Sequence, residues 1–361
     1  MPRPQLQAAA AFAAAVAAAP AASVELTIAV GEPDGVYAAL GADISRVAAE
    51  RGLPVATRES DGSLTNAWAI RHTPGVQLGI VQSDVLDFLR ARAEDPATDP
   101  ETAGGLRDLL ASLRVVAPLH VEEVHLLARP EIADLAALEG RRVAVGRNGG
   151  GAFITAEQIF RTVGVRVEPV SNVSPKDAIE LLRIGTIDAM VHVVGQPANV
   201  FALGVTPEDR FRFLPLDAPA LRARYDAATI AAESYGWTTQ STPTVGVRAL
   251  LVGYPYTGAE TCGAIGDLAE VLVSEIAALR ALGHEEWLGI DPGADVAVWE
   301  RHPCVAPAAL AGAVPAPAAA LPANDAQPAP AAAPEPAQAP LQAPAAAPPA
   351  AAGGLLDRFK R

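Results

Sequence analysis

Two glycine-rich segments of the sequence have residue types that can bind an anion through backbone amides. GEPDG at 31–35 and GRNGGG at 146–151 each follow a short strand-like run and each precede an amphipathic helical pattern. A strand that turns through glycines into a helix leaves N–H groups without intrahelical partners at the positive end of the helix dipole. Because the pattern occurs twice, we expect two such loops bordering one cleft.

Polar side chains near these loops extend the candidate site. Arg147 could make two parallel hydrogen bonds to a carboxylate, although a solvated surface arginine is an equal alternative, and Asn148 could donate or accept. Ser63 is expected to cap the helix that follows it and to donate to a ligand, with capping alone as the simpler interpretation. Gln82 and Ser83 end a predicted strand, where they would point into the cleft, and Ser83 is also expected to cap the next helix.

The sequence has no signature of an enzyme or of a metal site. It contains neither an HExxH motif nor a serine in a GxSxG turn, and Asp84 and Asp188 are single carboxylates without an evident partner. The six histidines are scattered, and the sequence predicts a structural role for each, with a position facing the cleft as the alternative for His120 and His192: His72, His120, His125, His192, His284 and His302. We therefore predict a binding protein that uses no cofactor and no metal.

Hydrophobic periodicity predicts the elements that position these loops. Strand-like and helical patterns alternate from residue 24 through the helix that begins near residue 84, and again from 141 to 194. Such alternation implies parallel sheets, and ligands of open parallel sheets lie beyond the carboxyl ends of the strands. Two apolar passages, 113–129 and 244–256, would join the two α/β units as a hinge.

The two ends of the chain and its cysteines indicate an exported protein. Residues 1–23 have one arginine, an apolar core and small residues before Ser23, which is typical of a secretory signal peptide.

Cys262 and Cys304 are a disulfide candidate, with two unpaired thiols as the alternative. Residues 305–361, rich in alanine and proline, are predicted to form an extended tail whose basic end could contact a membrane or a partner, or could simply favour solubility.

The overall charge excludes one class of partner. Lys and Arg number 27 against 41 Asp and Glu, which gives a net charge of −14. Nucleic-acid binding requires a basic surface, and the chain has no basic run before its last residues. We therefore predict no nucleic-acid partner.

Six segments taken together resemble the TAXI-type extracytoplasmic solute receptors of TRAP transporters. They follow the family's order and cover most of residues 24–256: AVGEPDGVYAALG at 29–41, DGSLTNAWAIR at 61–71, LGIVQSDVLDF at 78–88, LEGRRVAVGRNGGG at 138–151, LLRIGTIDAMVHVVGQP at 181–197 and TPTVGVRALLV at 242–252. The resemblance implies an α/β, type II periplasmic binding-protein fold with two lobes and a hinge. It also implies capture of a small organic anion, glutamate-like or a dicarboxylate, for the membrane permease subunits of a TRAP transporter.

The resemblance also implies where the ligand binds. With Arg147 added, the predicted ligand-binding residues are Gly35, Val36, Tyr37, Gly62, Ser63, Gln82, Ser83, Arg147, Asn148, Gly149, Gly150, Gly151, Gly195, Gln196 and Pro197. The chain departs from the family pattern in its second loop, where glycines and Ala152 replace the usual hydroxyl residues. Glu32 and Asp34 in the first loop would repel an anion unless they face a cation, an amino group or solvent.

The predicted organisation is a secreted, periplasmic monomer. Lobe I would comprise residues 24–117 plus 246–304, and lobe II residues 118–245. Two other functions remain open at this stage: a periplasmic sensor or adaptor that signals through the tail, and an enzyme on the same bilobed scaffold.

Overall fold

The computed structural model describes residues 24–294, 296 and 299–307. The predicted signal peptide and nearly all of the predicted tail lie outside the described residues. Among the helices that are described, none is long and apolar enough to cross a membrane.

The N-terminal third of the chain alternates strands and helices, as the sequence predicts. The elements are β1 (Leu26–Ala29), α1 (Val36–Glu50), β2 (Val55–Arg58), α2 (Ser63–His72), β3 (Leu78–Gln82), α3 (Val85–Glu94) and α4 (Pro100–Ala111). β1 pairs in parallel with β2 on one side and with β3 on the other. The loops after these strands therefore meet at one edge of the sheet.

A second α/β unit follows a long connecting strand. The elements are β4 (Arg114–Ala128), β5 (Arg142–Gly146), α5 (Gly151–Val163), β6 (Glu168–Ser171), α6 (Pro175–Arg183), β7 (Ala189–Val194), α7 (Asn199–Gly204), β8 (Arg212–Phe213), α8 (Pro219–Arg222) and β9 (Asp226–Ile230). β5 pairs in parallel with both β6 and β7, repeating the arrangement of the first unit.

The chain returns to the first unit through β10 (Thr242–Gly253), α9 (Ala259–Ser274) and α10 (Ile276–Leu282). β10 pairs antiparallel with β3 and with β4, and β4 pairs antiparallel with β7. The strand order is therefore β2-β1-β3-β10-β4-β7-β5-β6, so that β4 and β10 belong to both units. The predicted α/β fold with two lobes and two connecting passages is confirmed. We call the part built on β1–β3 lobe I and the part built on β5–β9 lobe II.

Each lobe has its own hydrophobic core. Helices α1 and α9 cover one face of the lobe I sheet, with Ile44 and Leu268 buried between helix and strand. In lobe II, α5 packs Ile159 and Phe160 on β5 and β7, and Phe201 and Tyr235 belong to a second, more aromatic cluster on the other face. Apolar burial on this scale fixes each lobe as a rigid unit.

Some local predictions need correction. Ser63 is the first residue of α2 and Gly62 is its N-cap, because the serine hydroxyl is already used by strand β3. Ser83 lies two residues before α3 and bonds to the backbone of Arg248, so it does not cap that helix. Ser174 caps α6, as predicted.

Apolar residues spaced three and four apart predict one helix from Cys262 to Gly283, but the structure has two helices, α9 and α10, which meet at Glu275. The predicted inward positions are buried up to Leu279. Leu282, however, is 76% exposed, because the chain ends its last helical turn there.

Cys262 and Cys304 form a disulfide, with their Cα atoms 5.3 Å apart. It attaches the last described segment to α9. The same segment also bonds to β4, because Val115 donates to the Glu300 carbonyl at 2.9 Å and His302 donates to the Val115 carbonyl at 2.7 Å. The C-terminal end of the described chain is thus part of lobe I.

Candidate functional site: the cleft between the lobes

Three helices begin at the cleft without a side-chain cap. The N-caps of α1, α2 and α5 are Gly35, Gly62 and Gly150, and in none of the three does a side chain accept from the first-turn amides. Side chains cap two other helices, Asp99 in α4 and Ser174 in α6, whereas α3 and α9 also lack a side-chain cap. The helices at the cleft therefore direct positive dipole ends toward it without a side-chain cap, although the Leu64 amide of α2 is bonded to a backbone carbonyl.

The N-termini of α2 and α5 are in direct contact across the lobes. The Leu64 amide donates to the Gly149 carbonyl at 3.0 Å. A Cβ built on Gly62, whose φ is +113°, would lie 3.2 Å from the Cα of Gly150. Only glycine adopts this backbone easily and permits this approach. The glycines of both loops thus determine how closely the lobes can meet.

Ser63 and Gln82 lie at the predicted position but are occupied by protein groups. The Ser63 hydroxyl accepts a hydrogen bond from the backbone amide of Gln82 at 3.1 Å. The Gln82 side chain is 2% exposed and lies against Gly151 at the start of α5. Its amide nitrogen donates to Glu122 at 3.0 Å and its oxygen accepts from Thr155 at 3.2 Å, so Gln82 connects the lobes.

Arg147 and Asn148 lie in the second loop, as predicted, but Arg147 has a protein partner. Its guanidinium forms an ion pair with Glu32 of the first loop, and its side chain is 51% exposed. Glu32 therefore faces a cation, which was one of the conditions for an anion near the first loop. The Asn148 amide donates to the Asn172 side chain at 3.1 Å.

The segment after β7 lies on the lobe II side of the cleft. The Gln196 side chain donates to the Thr229 carbonyl at 2.7 Å and accepts from the Ala231 amide at 2.9 Å. The bond between Gln196 and Pro197 is cis. Gly195 faces lobe I, and a Cβ there would overlap the carboxylate of Glu286.

Sequence reasoning missed the most unusual side chains of the cleft, the carboxylates of Glu122, Glu123 and Glu286. Glu122 accepts from the Tyr37 hydroxyl at 2.8 Å and from Gln82. Burial raises the pKa of Glu122 to about 7 and that of Glu286 to about 8, and it also raises the pKa of Glu123. These acids belong to LHVEEVHLL and HEEWLG, which read as an ordinary strand and an ordinary surface turn.

Asp84 forms a second polar connection between the lobes, which we call the Asp84 bridge. Its carboxylate accepts from Thr155 at 2.9 Å and from the Tyr225 hydroxyl at 3.0 Å, both in lobe II. Burial raises the pKa of Asp84 to about 6 although both hydrogen bonds lower it. No partner for this carboxylate is evident in the sequence, and the structure provides two, both in the other lobe.

The sequence model of the NMT1-like family matches residues 28–265, well over half of the chain. The chain belongs to the NMT1-like family. This family is similar to periplasmic binding proteins. The matched range runs from β1 into α9, so it includes both lobes, both glycine loops and the two connecting strands.

Several solved structures are similar to this member of the NMT1-like family. The ligand-binding core of GluR0 in complex with L-glutamate is 15% identical with a TM-score of 0.42, covering 75% of this chain and 100% of that one. MatC from Rhodopseudomonas palustris with bound malate is 17% identical with a TM-score of 0.41, covering 72% and 89%. A periplasmic transporter is 14% identical with a TM-score of 0.42, covering 74% and 89%. No curated protein sequence matches the chain.

A cavity of about 620 Å³ lies on the flank of lobe II, beside the cleft. It is lined by Phe153, Phe160 and Arg161 of α5, by Pro169 of β6, and by Arg92 from lobe I. It touches the second glycine loop through Asn148 alone. Glu122, Glu123, Glu286 and the glycines that meet between the lobes, Gly62 and Gly150, lie outside its lining.

Proposed function

We propose that this protein captures a small organic anion between its lobes in the periplasm and delivers it to the membrane subunits of a TRAP-type secondary transporter. The anion would be a carboxylate, glutamate-like or a dicarboxylate. The observation that supports this most is the convergence on the cleft of the N-termini of α1, α2 and α5, whose N-caps are glycines and which no N-cap side chain caps. Helix N-termini of this kind favour negative charge.

The contacts between the lobes support a mechanism of capture by closure. The lobes meet through backbone at Leu64 and Gly149 and through the Asp84 bridge, while β4 and β10 connect them as continuous strands. We propose that the lobes separate by bending at these two strands, that the solute enters, and that closure excludes water from it. The chain would act as a monomer without a cofactor and without catalysis, and residues 1–23 would direct its export.

The proposed ligand contacts remain those of the two glycine loops, of Tyr37 and of the segment from Gly195 to Pro197. Gln82 and Ser63 would contribute by holding the α2 and α5 termini in place, because their side chains already bond to protein groups. Boundaries near residues 117 and 246 would separate the lobes within the connecting strands.

A matched pair of glycine variants tests capture in the cleft. Gly62→Ala adds a methyl group at the interlobe contact, whereas Gly75→Ala adds one at another positive-φ glycine that has nothing within 4 Å of the added atom. Thermal shift against succinate, 2-oxoglutarate and L-glutamate measures binding, because a ligand at about a hundred times its dissociation constant stabilises by about 2.7 kcal/mol. We expect at least one acid to bind wild type and Gly75→Ala but not Gly62→Ala. Binding by none of them, or equal binding by both variants, would contradict the proposal.

Uptake measurements test the transporter class. Cells that express the protein with its TRAP permease should accumulate the ligand as long as the ion gradient persists, including after ATP is depleted. Uptake that stops with ATP depletion while the gradient is intact would assign the protein to a different transporter.

A further inference from the structure

Three carboxylates from two parts of the chain lie near one another where the lobes face each other, since Glu122 and Glu123 both act electrostatically on Glu286. Glu122 and Glu123 are adjacent on β4, and Glu123 is in register with Val194, the residue before Gly195. Glu286 comes from the turn Glu285–Gly289, which packs on β4, and its carboxylate lies against Gly195. Glu286 therefore extends from lobe I to lobe II beside the two acids of β4.

The position of Glu286 is fixed by its neighbours. Asp43 of α1 accepts from the His284 amide at 2.7 Å and from the Trp287 indole at 2.9 Å. The Trp287 side chain is 1% exposed in the core of lobe I. With the residues on either side anchored, the Glu286 side chain is directed into the cleft.

Within the described residues, none of these carboxylates has a lysine or arginine partner. Neutral donors bond two of the acids: Tyr37 and Gln82 donate to Glu122, and Gln196 donates to Glu123, of which one oxygen is buried without a hydrogen bond. The nearest cation on the adjacent strand, Arg248, donates to the Leu119 carbonyl at 3.3 Å. Glu122 is buried and Glu123 and Glu286 are half-buried, so three acids in one region favour a positive partner or shared protons.

A buried histidine next to these acids gives an independent indication of a ligand. His120 is 1% exposed, and neither of its ring nitrogens has a hydrogen bond among the described residues. Its Nε2 lies 3.7 Å from Glu122, and its ring is edge-on to Tyr37. Burial lowers the pKa of His120 to about 3, so the ring is neutral and one nitrogen can accept a hydrogen bond. Burying an imidazole without hydrogen bonds costs free energy of folding. An N–H group of a ligand would donate to the acceptor nitrogen of the ring and offset part of this cost.

The arrangement favours an organic cation over a metal ion. In the part of the chain that the structure describes, no three His, Cys, Asp or Glu side chains converge as metal ligands do. An ammonium group needs only two or three acceptors around it, at hydrogen-bond distance and without a fixed geometry.

We propose that the cleft binds a solute that carries an ammonium group and that Glu122 and Glu286 accept hydrogen bonds from this group, with His120 beside Glu122 and with Glu123 adding negative charge. The inference rests on the proposed function, since it names one end of the ligand of the same cleft. The other end would lie toward the bare amides of α5. The ligand is then an amino acid-like compound or a diamine, and a plain dicarboxylate does not fit.

Three homologous series of two to six carbon atoms test this with the full-length protein: linear diamines, ω-amino acids and dicarboxylates. Each compound is screened by thermal shift at about 10 mM in an amine-free buffer, and binders are measured by calorimetry. The variant is Glu286→Gln, and the matched control is Glu285→Gln, which changes the exposed neighbouring acid. At neutral pH part of the wild-type protein holds a proton on Glu122 or Glu286, and a bound ammonium group would displace this proton. Calorimetry in two buffers of different ionisation enthalpy measures how many protons are released on binding.

We expect a diamine or an ω-amino acid to bind wild type and Glu285→Gln with proton release, and to bind Glu286→Gln at least about tenfold more weakly, because hydrogen bonds to charged groups contribute this much. Equal binding to Glu286→Gln would overturn the inference. Binding of dicarboxylates alone would overturn it and leave the proposed function intact. Binding of diamines alone would uphold it and contradict capture of an anion. If no compound of the three series binds, both proposals fail.

Discussion

Removal of the Tyr225 hydroxyl tests whether the Asp84 bridge holds the lobes together. In Tyr225→Phe the ring remains in the lobe II core while one of the two donors to Asp84 is lost. A hydrogen bond to a charged acceptor contributes about 1.5–3 kcal/mol, so the ratio of closed to open molecules should fall by about 10- to 150-fold. The lost hydrogen bond is one between the lobes, because Asp84 belongs to lobe I and Tyr225 to lobe II.

Hydrogen exchange at the Leu64 amide measures the opening directly. This amide donates to Gly149 across the cleft and can exchange only after the lobes separate. Its exchange should be about 10- to 150-fold faster in Tyr225→Phe than in wild type at neutral pH. Tyr235→Phe is the control, since that hydroxyl accepts from the Ala198 amide and contacts His125 within lobe II.

We expect Tyr235→Phe to lower the free energy of unfolding and to leave exchange at Leu64 unchanged. Unaltered Leu64 exchange in Tyr225→Phe would refute the bridge. Equally faster exchange in both variants would show that the amide reports unfolding of lobe II and not separation of the lobes.

Two further predictions concern stability. The pKa of Asp84 is about 6 in the folded protein against an unperturbed 3.8, so the unfolded chain loses this proton first and the free energy of unfolding falls as pH rises through that window. Relative to Asp84→Asn, wild type should lose about 3 kcal/mol between about pH 4 and pH 7 in urea unfolding, and a difference that is independent of pH would exclude the burial effect. Replacing Cys262 and Cys304 by alanine removes a cross-link between residues 42 positions apart, and we expect a loss of about 4 kcal/mol. A loss below about 1 kcal/mol would show that backbone bonds to Val115 suffice to hold the segment.

The sequence predicted the lobes well because their signals are local. Alternation in VELTIAV and helical spacing from Val36 to Val47 depend only on burial of one face, and the structure has β1 and α1 there. The two glycine loops followed from the same logic, since glycines at the end of a strand mark a turn into a helix.

The carboxylate cluster could not be predicted in this way. Glu286 reaches Glu123 only because the C-terminal segment folds back over β4, 163 positions after it in the chain. The prediction that Ser63 caps α2 was wrong for a related reason. The backbone amide of Gln82 in β3 donates to the Ser63 hydroxyl, and no local sequence pattern contains this contact. The sequence EEWLG offered one indication, because a tryptophan directly after two acids is expected to be buried and so to fix the position of the acid before it.

A crystal structure with the compound that stabilises the protein most would test the account most directly. We predict one molecule between the lobes, with its ammonium group within hydrogen-bond distance of Glu286 and Glu122 and its other end near the amides of Gly151 and Ala152. A compound bound in the lobe II cavity beside Arg161 and Phe160, with nothing between the lobes, would contradict the central claim that the cleft is the binding site.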